Sequence, residues 1–124
     1  MILSVEQMVG EAKTRIREVD TEMALRMIAE DAVVLDVREP PEYAAGTLPR
    51  AVNIPRGVLE FKVDDHPALT RRENPILVYC AGGGRSALAA RTLQDMGFGQ
   101  VASLAGGFDA WSAKALPVVR GTAR

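Results

Sequence analysis

The chain has 124 residues, of which 48% are hydrophobic and 25% charged, and its formal net charge is −1. This length suits one domain with a hydrophobic core, and the near-neutral charge without a basic run argues against a nucleic-acid partner. A single cysteine excludes an internal disulfide. The N-terminal residues show no signal-peptide core, membrane span or lipidation motif, so we expect no membrane partner and a cytoplasmic location.

Helix-like and strand-like segments alternate in the first half of the chain. Ser4 and Gln7 have the spacing of a capping box and predict a first helix. The apolar side chains on one face of that helix are Val5, Met8, Val9, Ala12 and Ile16. The later predicted elements are a short strand at Val19, a helix after the cap Asp20-Thr21, a buried strand at 32–37 and a helix from Pro40 to about Gly46.

The alternation continues in the second half. In order, we predict a brief strand at 51–55, short helical pieces within 56–74, a central strand at 76–79, a helix at 85–96, a strand at 101–104 and a helix at 109–116. Alternating strands and helices in one short chain are typical of a parallel sheet covered on both faces. The predicted fold is therefore a single α/β domain with a mostly parallel sheet of about five strands and an extra N-terminal helix.

Cys80 is the most informative residue, because it follows the central strand and precedes three glycines, Arg85 and Ser86. A lone cysteine is commonly a small buried hydrophobe. A helix N-terminus and a neighbouring arginine, however, both favour the nucleophilic thiolate, and ligands bind beyond the carboxyl ends of parallel strands. Residues 82–87 also fit a dinucleotide-binding fingerprint, but the acidic residue expected about twenty positions later is missing.

The segment 80–86, Cys-Ala-Gly-Gly-Gly-Arg-Ser, resembles the active-site loop of the rhodanese family of sulfurtransferases, which has the form C-x-x-G-x-R-S. Residues 36–55 and 104–118 resemble the N-terminal and C-terminal signatures of the same family. The resemblance covers about residues 17–119. We therefore predict an N-terminal amphipathic helix at 1–16, a rhodanese-like domain at 17–119 and a C-terminal tail at 120–124.

The resemblance implies that Cys80 takes sulfur from a donor, becomes a persulfide and passes the sulfur to an external acceptor. The implied donor is thiosulfate or a low-molecular-weight persulfide, and the implied acceptor is cyanide, a small thiol or a protein cysteine. Asp36 and Arg38 would orient neighbouring backbone, while Arg85 would orient anionic donors and Ser86 would cap a helix. The implied substrate-binding residues are Ala81, Gly82, Gly83, Gly84, Arg85 and Ser86. No metal or organic cofactor is implied.

Loop length and loop charge separate the alternatives within this resemblance. Four residues stand between Cys80 and Arg85, whereas related phosphatases and arsenate reductases carry one more. A shorter loop suits a sulfur atom better than a phosphate group. Thiosulfate-using members often carry extra basic residues in the loop, but here Arg85 is its only cation. A non-enzymatic sulfur carrier or redox-sensing module remains the alternative from another class.

Overall fold

The computed structural model describes residues 2–120. Over this range, strands and helices alternate as predicted. The strands are β1 (Arg17–Val19), β2 (Val33–Asp36), β3 (Val52–Asn53), β4 (Ile76–Tyr79) and β5 (Val101–Leu104). The α-helices are α1 (Val5–Arg15), α2 (Thr21–Ala29), α3 (Pro40–Ala45), α4 (Leu59–Lys62), α5 (Gly84–Asp95) and α6 (Gly107–Ala113). Two 3₁₀ turns, Arg56–Val58 and Pro67–Leu69, complete the predicted helical pieces between β3 and β4.

The five strands form one sheet in the order β1-β5-β4-β2-β3, and every pair is parallel. β4 is the central strand, as predicted. Because all the strands point the same way, their carboxyl ends meet at one edge of the sheet. Asp36 at the end of β2 is in register with Tyr79 at the end of β4. This register places Asp36 beside the residue that precedes Cys80.

Side chains of β4 alternate between two hydrophobic clusters, one on each face of the sheet. Ile76, Val78 and Cys80 belong to the cluster that includes Ala89, Ala90 and Leu93 of α5. Leu77 and Tyr79 belong to the opposite cluster, with Ala24 and Met27 of α2 and Trp111 of α6. The continuous apolar sequence of β4 therefore reflects burial on both sides, and the predicted fold class is confirmed.

α1 packs along α5, but only part of its apolar face is covered. Ala12 is buried, and Gln94 in α5 donates a hydrogen bond of 3.1 Å to the carbonyl of Arg15. Val9 lies beside Gly84, the first residue of α5. Val5 and Met8, in the first half of the helix, remain exposed. The prediction that all five apolar residues form one packed face holds for the C-terminal half of the helix.

The largest difference from the predicted boundaries concerns α6, which was predicted at 109–116. It begins at Gly107, because the positive φ angles of Gly106 and Gly107 turn the chain into the helix two residues earlier. It ends at Ala113, and Ala115 adopts a left-handed conformation with φ of 55° shortly afterwards. Of the predicted tail 120–124, only Arg120 lies within the described residues.

Candidate active site

The side chain of Cys80 lies at the carboxyl end of the central strand, beneath the loop that connects β4 to α5. Only 1% of the residue is exposed. Two backbone N–H groups donate to its sulfur, from Gly83 at 3.1 Å and from Ser86 at 3.3 Å. The sulfur also lies at the N-terminus of α5, where the helix dipole favours negative charge. The loop is thus arranged around one atom and would stabilise a thiolate at Cys80.

Gly83 is the N-cap of α5 and has a left-handed conformation, with φ of 109°. This conformation is costly for residues with a Cβ, and it turns the Gly83 N–H toward the sulfur. The prediction that Ser86 caps this helix is therefore wrong. Ser86 lies inside the first turn of α5. The N-cap residue is Gly83, and among the described residues no side chain makes a capping hydrogen bond there.

The Ser86 hydroxyl lies between the sulfur and the sheet. Its oxygen is 3.5 Å from Cys80 Sγ, 3.2 Å from the carbonyl oxygen of Gly83 and 2.8 Å from the hydroxyl of Ser103 in β5. Ser86 and Ser103 are both fully buried. A hydroxyl carries one proton but can accept more than one hydrogen bond. This pair can therefore shift its donor toward the sulfur or away from it without moving heavy atoms.

The start of α6 supports the loop from behind. The N–H groups of Phe108 and Asp109 donate to the carbonyls of Cys80 and Ala81, at 2.8 and 3.0 Å. Gly107 has φ of 55°, and a Cβ at this position would overlap the carbonyl oxygen of Cys80. The first orphan donors of α6 thus hold the backbone of the cysteine, and this close approach requires glycine at 107.

Arg85, predicted to orient anionic donors, makes a bidentate ion pair with Glu42 of α3. The two N–O distances are 2.8 and 3.0 Å, and each side chain is 36% exposed. The hydrogen bonds from Arg85 outweigh partial burial and lower the pKa of Glu42 to about 2. The same bonds, opposed by burial and helped by the nearby Cys80 sulfur, raise the pKa of Arg85. Arg85 therefore lies near the sulfur with its charge already paired.

Asp36 and Arg38 form a second bidentate pair, which is almost completely buried at the end of β2. Arg38 Nε and Nη2 donate to the carboxylate at 3.0 and 2.7 Å, and the Tyr79 hydroxyl donates to it at 2.8 Å. Burial and the Asp36 charge raise the pKa of Tyr79 far above its usual value. Burial alone would lower the pKa of Arg38, but its bonds to Asp36 raise that pKa overall. Tyr79 therefore remains a neutral hydrogen-bond donor.

This buried pair also holds the backbone around it. Arg38 Nη2 donates to the Gly46 carbonyl at 2.6 Å, and the Arg38 N–H donates to Asp36 at 2.8 Å. The Arg38 guanidinium stacks over the Phe108 ring, with 4.4 Å to the ring centroid. The geometry agrees with the expectation that Asp36 and Arg38 tie down neighbouring segments.

The structure brings Cys80 and residues 81–86 together in the loop and the first turn of α5, and it places Asp36 and Arg38 at the end of the neighbouring strand, in contact with Tyr79. Sequence reasoning missed Glu42, Ser103 and Tyr79 as members of the site. Ser103 carried a weak signal, as a polar residue in an otherwise apolar strand. Glu42 carried none beyond its place in a family signature, because its partner is 43 positions away.

Two further properties bear on the expected partners. Within residues 2–120, no group of three His, Cys, Asp or Glu side chains is arranged to hold a metal ion. Over the same range, no helix is both long enough and apolar enough to cross a membrane.

Comparisons with known proteins agree with this geometry. A sulfurtransferase from Allochromatium vinosum is 32% identical over 106 residues, which is 84% of this chain and 95% of that protein. A thiosulfate sulfurtransferase from Pseudomonas entomophila, GlpE, is 36% identical over 79% of this chain and 86% of that protein.

The fold and the family are also matched directly. A solved structure from Rhodopseudomonas palustris, described as a protein of unknown function and possible tyrosine phosphatase, is 36% identical with a TM-score of 0.85. The match covers 96% of both chains, too much to omit α1. The family model of the rhodanese-like domain matches residues 20–114. The chain therefore belongs to the rhodanese-like domain family and is related to its sulfurtransferases.

Proposed function

We propose that the protein is a sulfurtransferase that moves sulfane sulfur from a small donor to an external acceptor through a persulfide on Cys80. The observation that carries this proposal is the pair of backbone N–H groups, from Gly83 and Ser86, that donate to the Cys80 sulfur. These donors are preorganised for negative charge on one sulfur atom, the form needed both for attack and for holding the product. The sulfurtransferase relatives support the same reaction class.

In the first step, the Cys80 thiolate attacks the outer sulfur of the donor. A new sulfur–sulfur bond forms at Cys80 while the donor's own bond to that sulfur breaks, and the leaving group departs with the bonding electron pair. From thiosulfate the leaving group is sulfite, and from a thiol persulfide it is the thiolate. The terminal sulfur of the new persulfide carries the negative charge, so the N–H groups of residues 81–86 and the hydroxyl of Ser86 are the groups we assign to binding it.

In the second step, an acceptor removes the terminal sulfur and regenerates the Cys80 thiolate. Cys80 is the only cysteine of the chain, so no internal thiol can resolve the persulfide. We therefore assign acceptance to an external nucleophile: cyanide in an assay, and a small thiol or a protein cysteine in the cell. We also propose a reducing compartment such as the cytoplasm, because Cys80 must remain a free thiol between cycles.

The rivals use the same loop. One rival is a phosphatase or arsenate reductase, and the Rhodopseudomonas palustris structure is described as a possible tyrosine phosphatase. The four-residue spacing from Cys80 to Arg85, however, suits a sulfur atom better than the larger phosphate or arsenate group. A sulfur carrier or redox-sensing module would load Cys80 without efficient turnover.

The test is intact-mass analysis of the wild type and of Cys80→Ser after treatment with thiosulfate or glutathione persulfide. The wild type should gain about 32 Da, one sulfur, because a thiolate can form the persulfide and a serine hydroxyl cannot. Cyanide should then remove the added mass and produce thiocyanate repeatedly. Loading without turnover would favour the carrier, and hydrolysis of p-nitrophenyl phosphate without loading would favour the phosphatase. Transfer by Cys80→Ser would disprove the assignment.

A further inference from the structure

Glu42 is held against the loop by two independent sets of contacts. Both of its carboxylate oxygens accept from Arg85, and one of them also accepts the backbone N–H of Glu39 at 2.9 Å, at the start of α3. The carboxylate is thus fixed by the first turn of one helix while it binds a side chain from the first turn of another. The backbone at the start of α3 therefore orients the carboxylate that binds Arg85.

The pairing changes the charge that a donor meets. Arg85 is the only cation in residues 80–86, and its neighbours at the same sheet edge, Asp36 and Arg38, neutralise each other. The low pKa of Glu42, about 2, keeps its carboxylate charged at physiological pH. These four charged side chains therefore sum to no net charge, although the loop sequence alone contains an arginine.

We propose that Glu42 selects the sulfur donor by its charge. By pairing with Arg85, it disfavours dianions such as thiosulfate. It favours donors whose transferred sulfur and the group bonded to that sulfur together carry at most one negative charge, such as thiol persulfides. This inference rests on the proposed sulfur transfer and names its substrate class. Glu42 acts through Arg85, so it is a positioning residue. The two donor classes need different electrostatic surroundings. In thiosulfate the sulfur next to the transferred atom carries three oxygens and a negative charge, whereas in a persulfide that sulfur is neutral and bonded to carbon.

Two donors of similar shape separate charge from size. Thiosulfate is a dianion, while methanethiosulfonate replaces one of its oxygens by a methyl group and is a monoanion. With either donor, the Cys80 thiolate takes the outer sulfur, and the bond to the oxidised sulfur breaks. Sulfite leaves in the first case and methanesulfinate in the second, each with the bonding electron pair, so charge and electrons balance. Because the two donors differ mainly in charge, the ratio of their kcat/KM values reports the electrostatic potential at the loop.

Glu42→Gln keeps an oxygen for the Glu39 N–H and removes the charge. We expect kcat/KM to rise about tenfold for thiosulfate and about threefold for methanethiosulfonate, since a dianion gains twice the Coulomb energy of a monoanion. The thiosulfate gain should shrink as ionic strength rises. A merely structural role would instead lower both values together.

Two control variants accompany this experiment. Glu73→Gln removes an exposed carboxylate paired with Arg71, before the start of β4 and at the opposite edge of the sheet, and should leave the ratio unchanged. Glu42→Asp keeps the charge and should retain the wild-type ratio within about twofold. Equal changes for both donors in Glu42→Gln, or the same gain in Glu42→Asp, would overturn the proposal. Persulfide loading of the wild type by methanethiosulfonate tests the underlying sulfur transfer separately, by a gain of about 32 Da.

Discussion

The loop around Cys80 and the buried Asp36–Arg38 pair lie at the ends of the neighbouring strands β4 and β2, but they are formed by different kinds of chemical group. The loop uses backbone N–H groups and glycines, and its donors converge on the single sulfur atom of Cys80. The pair uses charged side chains, and the Asp36 carboxylate is engaged by Arg38 and Tyr79.

This difference separates the proposed reactive site from its support. Donors that converge on one atom can stabilise charge that appears there during a reaction. A buried ion pair whose partners satisfy each other has little capacity left for a substrate, and removing one partner leaves an uncompensated charge. The comparison therefore predicts that damage to the pair reduces stability first, whereas damage to the loop reduces sulfur transfer first.

The largest expected effect comes from Asp36→Asn, which leaves the Arg38 charge buried without its counter-ion. The free energy of unfolding should fall by about 3–5 kcal/mol, measured by urea denaturation. Persulfide loading per folded molecule should remain close to that of the wild type.

The matched control for this change is Asp31→Asn, which breaks the exposed ion pair with Arg50 and should cost at most about 1 kcal/mol. Should Asp36→Asn fail to fold, the double variant with Arg38→Met removes the stranded charge and should recover part of the stability. If Asp36→Asn kept normal stability but lost persulfide loading, the buried pair would serve sulfur transfer and not stability, contrary to the comparison.

Gly107→Ala tests the loop through its support. A Cβ at this position would overlap the carbonyl oxygen of Cys80, and the left-handed backbone adds strain. We expect a loss of about 1–3 kcal/mol in stability. The rate of sulfur loading should fall at least about tenfold, because the cysteine backbone must shift.

Gly99→Ala is the control for this substitution, since a Cβ there meets open space and its φ is ordinary. It should leave both stability and loading near the wild-type values. Unchanged loading in Gly107→Ala would show that the α6 contacts do not position the sulfur.

A smaller effect is expected from Ser103→Ala, which removes the buried hydroxyl partner of Ser86. Ser86 keeps its bond to the Gly83 carbonyl, so stability should fall by about 1 kcal/mol. Sulfur transfer should fall about threefold, a free-energy change of the same order. Ser112→Ala, on the exposed side of α6, should change neither quantity. Transfer equal to wild type in Ser103→Ala would show that the hydroxyl pair is only structural.

The smallest effect concerns pH. Because the folded pKa of Glu42 is depressed to about 2, its ion pair stabilises the fold fully above the ordinary carboxyl value. The contribution is lost progressively as pH falls from about 4.5 toward 2, and partial exposure keeps it small. The carboxyl ¹³C shift of Glu42 should titrate with a midpoint near 2 in the folded protein. A midpoint near 4.5 would mean that Arg85 does not hold the carboxylate in solution.

The elements of the fold could be predicted because each depends on local pattern. The apolar runs of β2 and β4 report burial on two faces, and the capping box at Ser4 places the start of α1. Boundaries were less predictable where tertiary contacts replaced local signals. The first turn of α6 also donates to the carbonyls of Cys80 and Ala81, and a sequence pattern does not contain that long-range contact.

By itself, the sequence determined which residue we propose as the nucleophile and the composition of the loop that follows it. Only one cysteine exists, and three glycines followed by Arg85 and Ser86 are adjacent to it in the chain. Adjacent residues remain close in any fold, so their cooperation can be inferred from order alone.

Only the tertiary structure decided the charge of the site and its supports. Glu42 meets Arg85 across 43 residues, and Ser103 meets Ser86 across 17, because parallel strands bring distant segments to one edge of the sheet. Electrostatic interactions and hydrogen bonds depend on distance in space, which chain separation does not report. An arginine that reads as a free cation in the sequence is therefore a neutralised one in the folded protein.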